Sequence, residues 1–206
     1  MNPPKSLNEI LAQSTAERLA NHAALLDLAL AENDGPRPWR EWKANSLREL
    51  VELADRSPRM WLLAAGLRGD LNANYAIRMP VPRWPMNDQL PIDDLAVFHL
   101  HYQESWRWES PPSWAPLGLW QPLDPFHPNM RPALRGAICL GKLPAGIAVK
   151  EIALLGYYAL CLQDLGLDES DPDGVMNPHA CDYYRRHPEY LPLTRAGLFD
   201  PWEGVQ

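Results

Sequence analysis

His127-Pro128-Asn129-Met130-Arg131-Pro132-Ala133-Leu134-Arg135-Gly136-Ala137-Ile138-Cys139-Leu140 is the stretch on which the reading of this chain turns. It puts one cysteine after a proline-containing turn and ahead of a long apolar helix. Gly136 lets the backbone come close to whatever meets Cys139. A thiol is a usable nucleophile near neutral pH, because a few per cent of it is thiolate. The Asn129 amide upstream could donate to an oxyanion formed when a carbonyl is attacked. The competing reading is plainer: free cysteines are among the most buried residues, and Cys139 could be one more small apolar side chain.

On the N-terminal side of this stretch, residues 6–32 read as one helix. Ser6-x-x-Glu9 is a capping box, and Leu19, Ala23, Leu26 and Leu30 continue an apolar stripe. Asn33-Asp34-Gly35-Pro36 stops it, and residues 33–42 read as a linker with Trp39 and Trp42 packed beneath it. A second helix is expected over 46–55, opened by Ser46-x-x-Glu49 and burying Leu47, Leu50, Val51 and Ala54. The apolar period then changes to two. Strands are expected at 60–65, 75–79 and 95–102, where Phe98, Leu100 and Tyr102 share one face and Val97, His99 and His101 the other. Residues 104–129 are rich in proline and tryptophan and should wrap over the sheet, with a last strand near 117–120.

On the C-terminal side, 148–167 is the strongest helix pattern. It is apolar on two sides, hence buried, and Gly166 should end it. An acidic loop over 168–174 follows. Asn177-Pro178 supplies an N-cap and a first-turn proline for a last helix.

The composition narrows the function. Asp and Glu number 26 against 19 Lys and Arg, giving net charge −7. A nucleic-acid binder wants a basic face to neutralise phosphates, so none is expected as a partner. Anionic membrane is excluded on the same ground. No apolar run approaches the roughly 18–20 residues that cross a bilayer, and the N-terminus has no secretory pattern, so a cytoplasmic location is expected. Cys139, Cys161 and Cys181 are too few for a disulfide framework. His99-x-His101 and His179-x-Cys181 have ligand spacing but no obvious further ligands, so no metal is expected. Phosphate loops and dinucleotide fingerprints are missing from the sequence, and no cofactor is expected.

The His127-Pro128-Asn129 triplet, the loop after it and Gly136-x-Ile138-Cys139-Leu140 together resemble the active-site segment of ubiquitin-conjugating enzymes. The order of elements over roughly residues 45–190 is similar too. The extra N-terminal helix and the Trp-rich wrap look more like the divergent members found in bacterial ubiquitin-like operons, many of them tied to phage defence. The resemblance implies an α+β fold of the UBC-like kind: a helix, an antiparallel β-meander, an active-site loop and C-terminal helices. Residues 1–41 would be an N-terminal helical extension and linker, and 42–206 the catalytic domain.

It also implies roles. Cys139 would accept the C-terminus of a ubiquitin-like modifier as a thioester from an activating enzyme and pass it to an amine, a lysine of a protein acceptor. Asn129 would donate to the oxyanion or hold the loop that shapes the site. His127 would be a structural hydrogen bonder. Asp173, in the acidic loop, would orient the attacking amine. The chain departs from the common pattern in a longer gap between Asn129 and Cys139, and in Gly141 where many relatives carry Asp. Two other readings stand beside this one. One is a non-catalytic scaffold of the same fold that binds a ubiquitin-like partner. The other is a cysteine hydrolase, which needs His127 or His179 as a base on the thiol.

Overall fold

The computed structural model describes residues 6–86, 89–130, 136–163 and 176–204. Its N-terminal part holds two helices rather than one. Helix α1 (Leu7–Leu11) and helix α2 (Thr15–Ala31) each open with a full capping box. At the first, Ser6 Oγ accepts from the Glu9 amide (3.3 Å) and Glu9 Oε2 takes the Ser6 N–H (2.6 Å). Ser14 and Glu17 repeat this at 3.3 and 2.9 Å. The second box satisfies the orphan amides of a new helix, and that breaks the expected run.

Helix α3 (Arg37–Arg56) starts directly after Gly35-Pro36. Residues 37–42, expected in a linker, are its first turns. Pro38 fits there because a first-turn N–H has no helical acceptor to lose. Ser46, expected as a cap, lies buried inside the helix. The expected face is buried: Leu47, Leu50, Val51 and Ala54 are all inside, joined by Trp39 and Lys43.

Helix α2 is sewn to α3 and to the first strand, β1 (Met60–Gly66), by buried polar groups. Arg18 Nη1 donates to the carbonyls of Ala54 (3.1 Å), Met60 (2.9 Å) and Ser57. His22 is fully buried; its Nδ1 meets Asp55 Oδ1 at 2.7 Å and its Nε2 accepts the Leu62 N–H at 2.9 Å. Burial lowers the His22 pKa, and Asp55 pulls against that shift. Lys43 fastens the other end, donating from Nζ to the carbonyls of Asp34 (3.1 Å), Gly69 (2.8 Å) and Leu67. Trp39, stacked on Trp42, donates to the Gly69 carbonyl at 2.9 Å.

Strands β2 (Leu71–Pro82), β3 (Ile92–Tyr102) and β4 (Leu117–Gln121) complete a four-stranded antiparallel meander in the order β1-β2-β3-β4. The fold class is α+β. The register lines up Leu62 with Tyr75, Tyr75 with Phe98 and Phe98 with Leu119, one row of core side chains across all four strands. Helices α3 and α4 (Val149–Leu160) cover that row. Gly156 of α4 lies so close to Leu117 that an added Cβ would sit 2.3 Å from its Cδ2, so β4 and α4 meet without a spacer. Helix α4 ends sooner than the apolar pattern predicts: Cys161 closes it and Leu162 takes φ +56°. Gly166, the expected terminator, lies outside the described residues.

The opposite face carries Asn72, Asn74, His99, His101 and Trp120. His99 Nδ1 meets Asn74 Oδ1 at 2.8 Å, and His101 Nδ1 meets Asn72 Oδ1 at 3.0 Å. Of the four tryptophans in the proline-rich wrap Trp106 is buried; Trp108, Trp114 and Trp120 are about half exposed or more. The wrap is anchored by Trp106 together with Leu117, Leu119 and Phe126. Helix α5 (Pro178–Arg186) starts as its sequence demands: Asn177 Oδ1 accepts the Ala180 N–H at 3.3 Å. Its Ala180, Tyr183 and Tyr184 build a second apolar cluster with Leu90, Phe126 and Leu162.

Candidate functional site

Residues 136–138 run antiparallel beside β4, adding a short fifth rung to the sheet. Leu119 donates to the Gly136 carbonyl (2.8 Å) and Ile138 to the Leu117 carbonyl (3.1 Å). Met130 bridges Ile138 from the far side. Gly136 has φ +86°, and a Cβ there would come within 2.1 Å of the Leu119 carbonyl oxygen. The close approach expected at Gly136 is thus to the backbone of β4, and it fixes where the next three residues, ending in Cys139, must lie.

His127, fully buried, holds the other side of the loop. Its Nε2 donates to the Ala159 carbonyl of α4 at 2.8 Å, and its Nδ1 accepts the Asn129 N–H at 3.0 Å. With one nitrogen donating and the other accepting, the ring is the neutral tautomer protonated on Nε2. Burial pushes its pKa down to about 4, with the Ala159 carbonyl opposing. Both nitrogens are committed to backbone, so His127 has no nitrogen left to act as a base on Cys139. The carbonyl of Pro128 accepts the N–H groups of Met176 (2.9 Å) and Asn177 (3.0 Å), tying the turn to the start of α5. Tyr184 Oη donates to the Phe126 carbonyl at 3.1 Å. The triplet is therefore clamped between α4 and α5.

Asn129 and Cys139 do come together. The Cys139 N–H donates to the Asn129 carbonyl at 2.7 Å, and Asn129 Nδ2 donates to the Cys139 carbonyl at 3.3 Å. Of the two roles weighed for Asn129, the contact made here is that of holding the loop. Cys139 itself is 3 % exposed. Its Sγ lies 3.4 Å from Ser113 Oγ, and the Leu140 N–H donates to the Ser113 carbonyl at 2.9 Å, so the proline-rich wrap closes over the thiol. Ser113 was not singled out in the sequence, since nothing local marks a serine between Pro112 and Trp114 as a neighbour of a residue so far along the chain. Asp173 lies outside the described residues, as do 131–135 between the triplet and Gly136.

Cys139, Cys161 and Cys181 are buried thiols with no disulfide among them. Cys161 belongs to the core, and burial pushes its pKa up to about 12. His179 is exposed in the first turn of α5. No group of three or more His, Cys, Asp or Glu with metal-holding geometry occurs among the described residues. None of their helices is long and apolar enough to cross a membrane. Comparison with protein-family models, with curated proteins and with solved structures returns no match.

Proposed function

We propose that the chain is a ubiquitin-conjugating-like enzyme of the UBC-like fold that carries the C-terminus of a ubiquitin-like modifier on Cys139. The proposal extends to the bacterial antiphage setting that the resemblance implies. The observation that carries it is the paired contact of Asn129 with Cys139. A His-Pro-Asn turn, locked by His127, lies in hydrogen-bonded register with the cysteine segment. The order of helix, meander, wrap, turn, cysteine and two further helices supports the same reading.

In the first step the Cys139 thiol loses its proton and Sγ attacks the thioester carbonyl on an activating enzyme. The old C–S bond breaks as the new one forms, and the leaving sulfur takes up the proton. In the second, a neutral lysine amine attacks the Cys139 thioester. An amide forms, the C–S bond breaks and the amine's proton returns to Sγ. In both steps the group that leaves is a thiolate, a good leaving group, so neither requires a histidine base. A cysteine hydrolase does require one. His127 has no nitrogen free for that work, because Ala159 and Asn129 take both.

The burial of Cys139 favours one other reading, a scaffold that binds a ubiquitin-like partner without chemistry. Incubation with a cognate activating enzyme, ATP and modifier separates the two. The enzyme gives an adduct that thiols release and Cys139→Ser abolishes. Tight modifier binding with no adduct in either protein leaves the scaffold.

A further inference from the structure

We propose that the cavity beneath residues 193–204 binds a small ligand through an oxyanion, a carboxylate or phosphate, held on the guanidinium of Arg59. The cavity is about 530 Å³, the size of a small-molecule site. Its walls include Arg59, Thr194, Arg195 and Trp202.

Arg59 has no exposed surface, yet only its Nη2 has a hydrogen-bond partner, the hydroxyl of Tyr157. Nε and Nη1 are buried without an acceptor. The guanidinium lies over two rings, 5.1 Å from the centroid of Tyr157 and 5.4 Å from that of Trp202. Ring faces offset some of the lost hydration, but they do not replace in-plane acceptors for the N–H groups. A buried charge that lacks acceptors is among the costliest features a fold can keep.

The acids nearest the cavity leave it unpaired. Asp200 Oδ2 is taken by the Gly197 N–H at 2.6 Å, and neither Asp200 nor Glu203 forms an ion pair with Arg59. Arg18, the other arginine buried among the described residues, instead donates to backbone carbonyls. An incoming oxyanion supplies what Arg59 lacks, and Arg195, exposed at the rim, adds a second positive charge.

Entry has a route. Ser57 Oγ, Tyr157 Oη and Gln163 Nε2 hold the backbone at Leu198, Ala196 and Thr194. Among the described residues, no hydrogen bond holds 201–204. Trp202 is thus a cover resting on the cation, and lifting it exposes Nε and Nη1. The site is independent of the role of Cys139.

The test uses the full chain labelled with ¹⁵N-arginine, following the Arg59 Nε–Hε signal as sodium phosphate or sodium acetate is added at constant ionic strength. Arg59→Lys identifies the signal by its loss; if that variant does not fold, a through-space contact to the Trp202 indole identifies it instead. The expected result is a saturable shift of this signal in the millimolar range for one anion, at least tenfold ahead of the other arginines. Whichever anion saturates first names the headgroup. Arg195→Gln should weaken binding about tenfold, and Trp202→Ala should change it severalfold with Arg59 intact. An Arg59 signal that stays still, or that drifts linearly with every other arginine in both anions, overturns the proposal. So does an Arg59 signal that moves in anion-free Asp200→Asn, since that carboxylate would then already be its partner.

Discussion

Acidification should loosen the loop that carries Cys139, and the size of the effect follows from His127. The folded state holds this ring neutral, with its pKa pushed down to about 4 by burial, against an unfolded value near 6.5. The unfolded chain therefore binds the extra proton first as pH falls. Stability contributed by the neutral ring is complete above pH 6.5 and is lost progressively toward pH 4. At about 1.4 kcal/mol per pH unit, the loss from this residue is about 2.5 kcal/mol by pH 4.5. Depressed carboxylates such as Asp124 lose their contribution mainly below that pH, so the window belongs to histidine. His22, also depressed, adds loss of the same sign.

Chemical denaturation from pH 7 to 4.5 measures the sum, and His127→Gln isolates one share of it. Glutamine can donate to Ala159 and accept from Asn129 without titrating. The variant should lose about 1–2 kcal/mol at pH 7 through poorer hydrogen bonds. Its stability should then fall by about 2.5 kcal/mol less than wild type over the same range. Equal slopes in the two proteins would refute the assignment of a neutral, double-bonded ring. There is a local consequence as well. A protonated Nδ1 cannot accept the Asn129 N–H, so acid frees the residue that grips the Cys139 carbonyl.

Gly136→Ala should cost about 2–4 kcal/mol, from a left-handed φ with a Cβ and from the clash with Leu119. A melt within 2 °C of wild type would contradict it. Lys43→Ala strips three carbonyls of a buried ammonium donor and should cost about 2–4 kcal/mol in urea denaturation, whereas an exposed lysine would cost almost nothing. Deletion of residues 1–32 removes Arg18 and His22, uncovering the carbonyls of Ala54 and Met60 and the Leu62 N–H. It should lower the melting midpoint by several degrees, and an unchanged midpoint would show α2 to be a loosely held appendage.

Helices and strands with strong apolar periodicity were legible in the sequence; the places where they begin were less so. Ser-x-x-Glu occurs three times near the N-terminus, at Ser6, Ser14 and Ser46. It caps a helix at the first two and sits inside one at the third. Locally the three are alike, because the same spacing places i and i+3 side chains together within a helix. What distinguishes Ser46 is upstream: Gly35-Pro36 and Pro38 provide an earlier start, and Trp39 and Lys43 find partners in the turn between β1 and β2. Those partners are distant in sequence, so the linker reading of 33–42 had no means of seeing them. The early end of α4 has the same origin, since Leu162 is drawn into the second apolar cluster while Gly166 merely offered a terminator.

The site was legible where its residues are joined by backbone and illegible where they are joined by packing. His127, Asn129 and Cys139 lie on one loop whose ends are fixed by β4 and α4, so their meeting was open to inference from sequence order. Ser113 reaches Cys139 from the wrap, and no periodicity announces that contact. It carries the heaviest consequence for function, because the wrap meets Sγ of a residue that is only 3 % exposed. For Cys139 to carry an acyl group as proposed, the wrap has to withdraw. The contacts it gives up there include the Leu140 N–H on the Ser113 carbonyl and the long Sγ–Oγ contact at 3.4 Å. A single backbone hydrogen bond is worth about 1 kcal/mol net and the thiol contact less. The exposed tryptophans on either side, Trp108 and Trp114, add little burial to hold the cover shut. A cover built on such contacts is compatible with the gated nucleophile proposed here, whereas Cys161, fully buried at the C-terminal end of α4, belongs to the core.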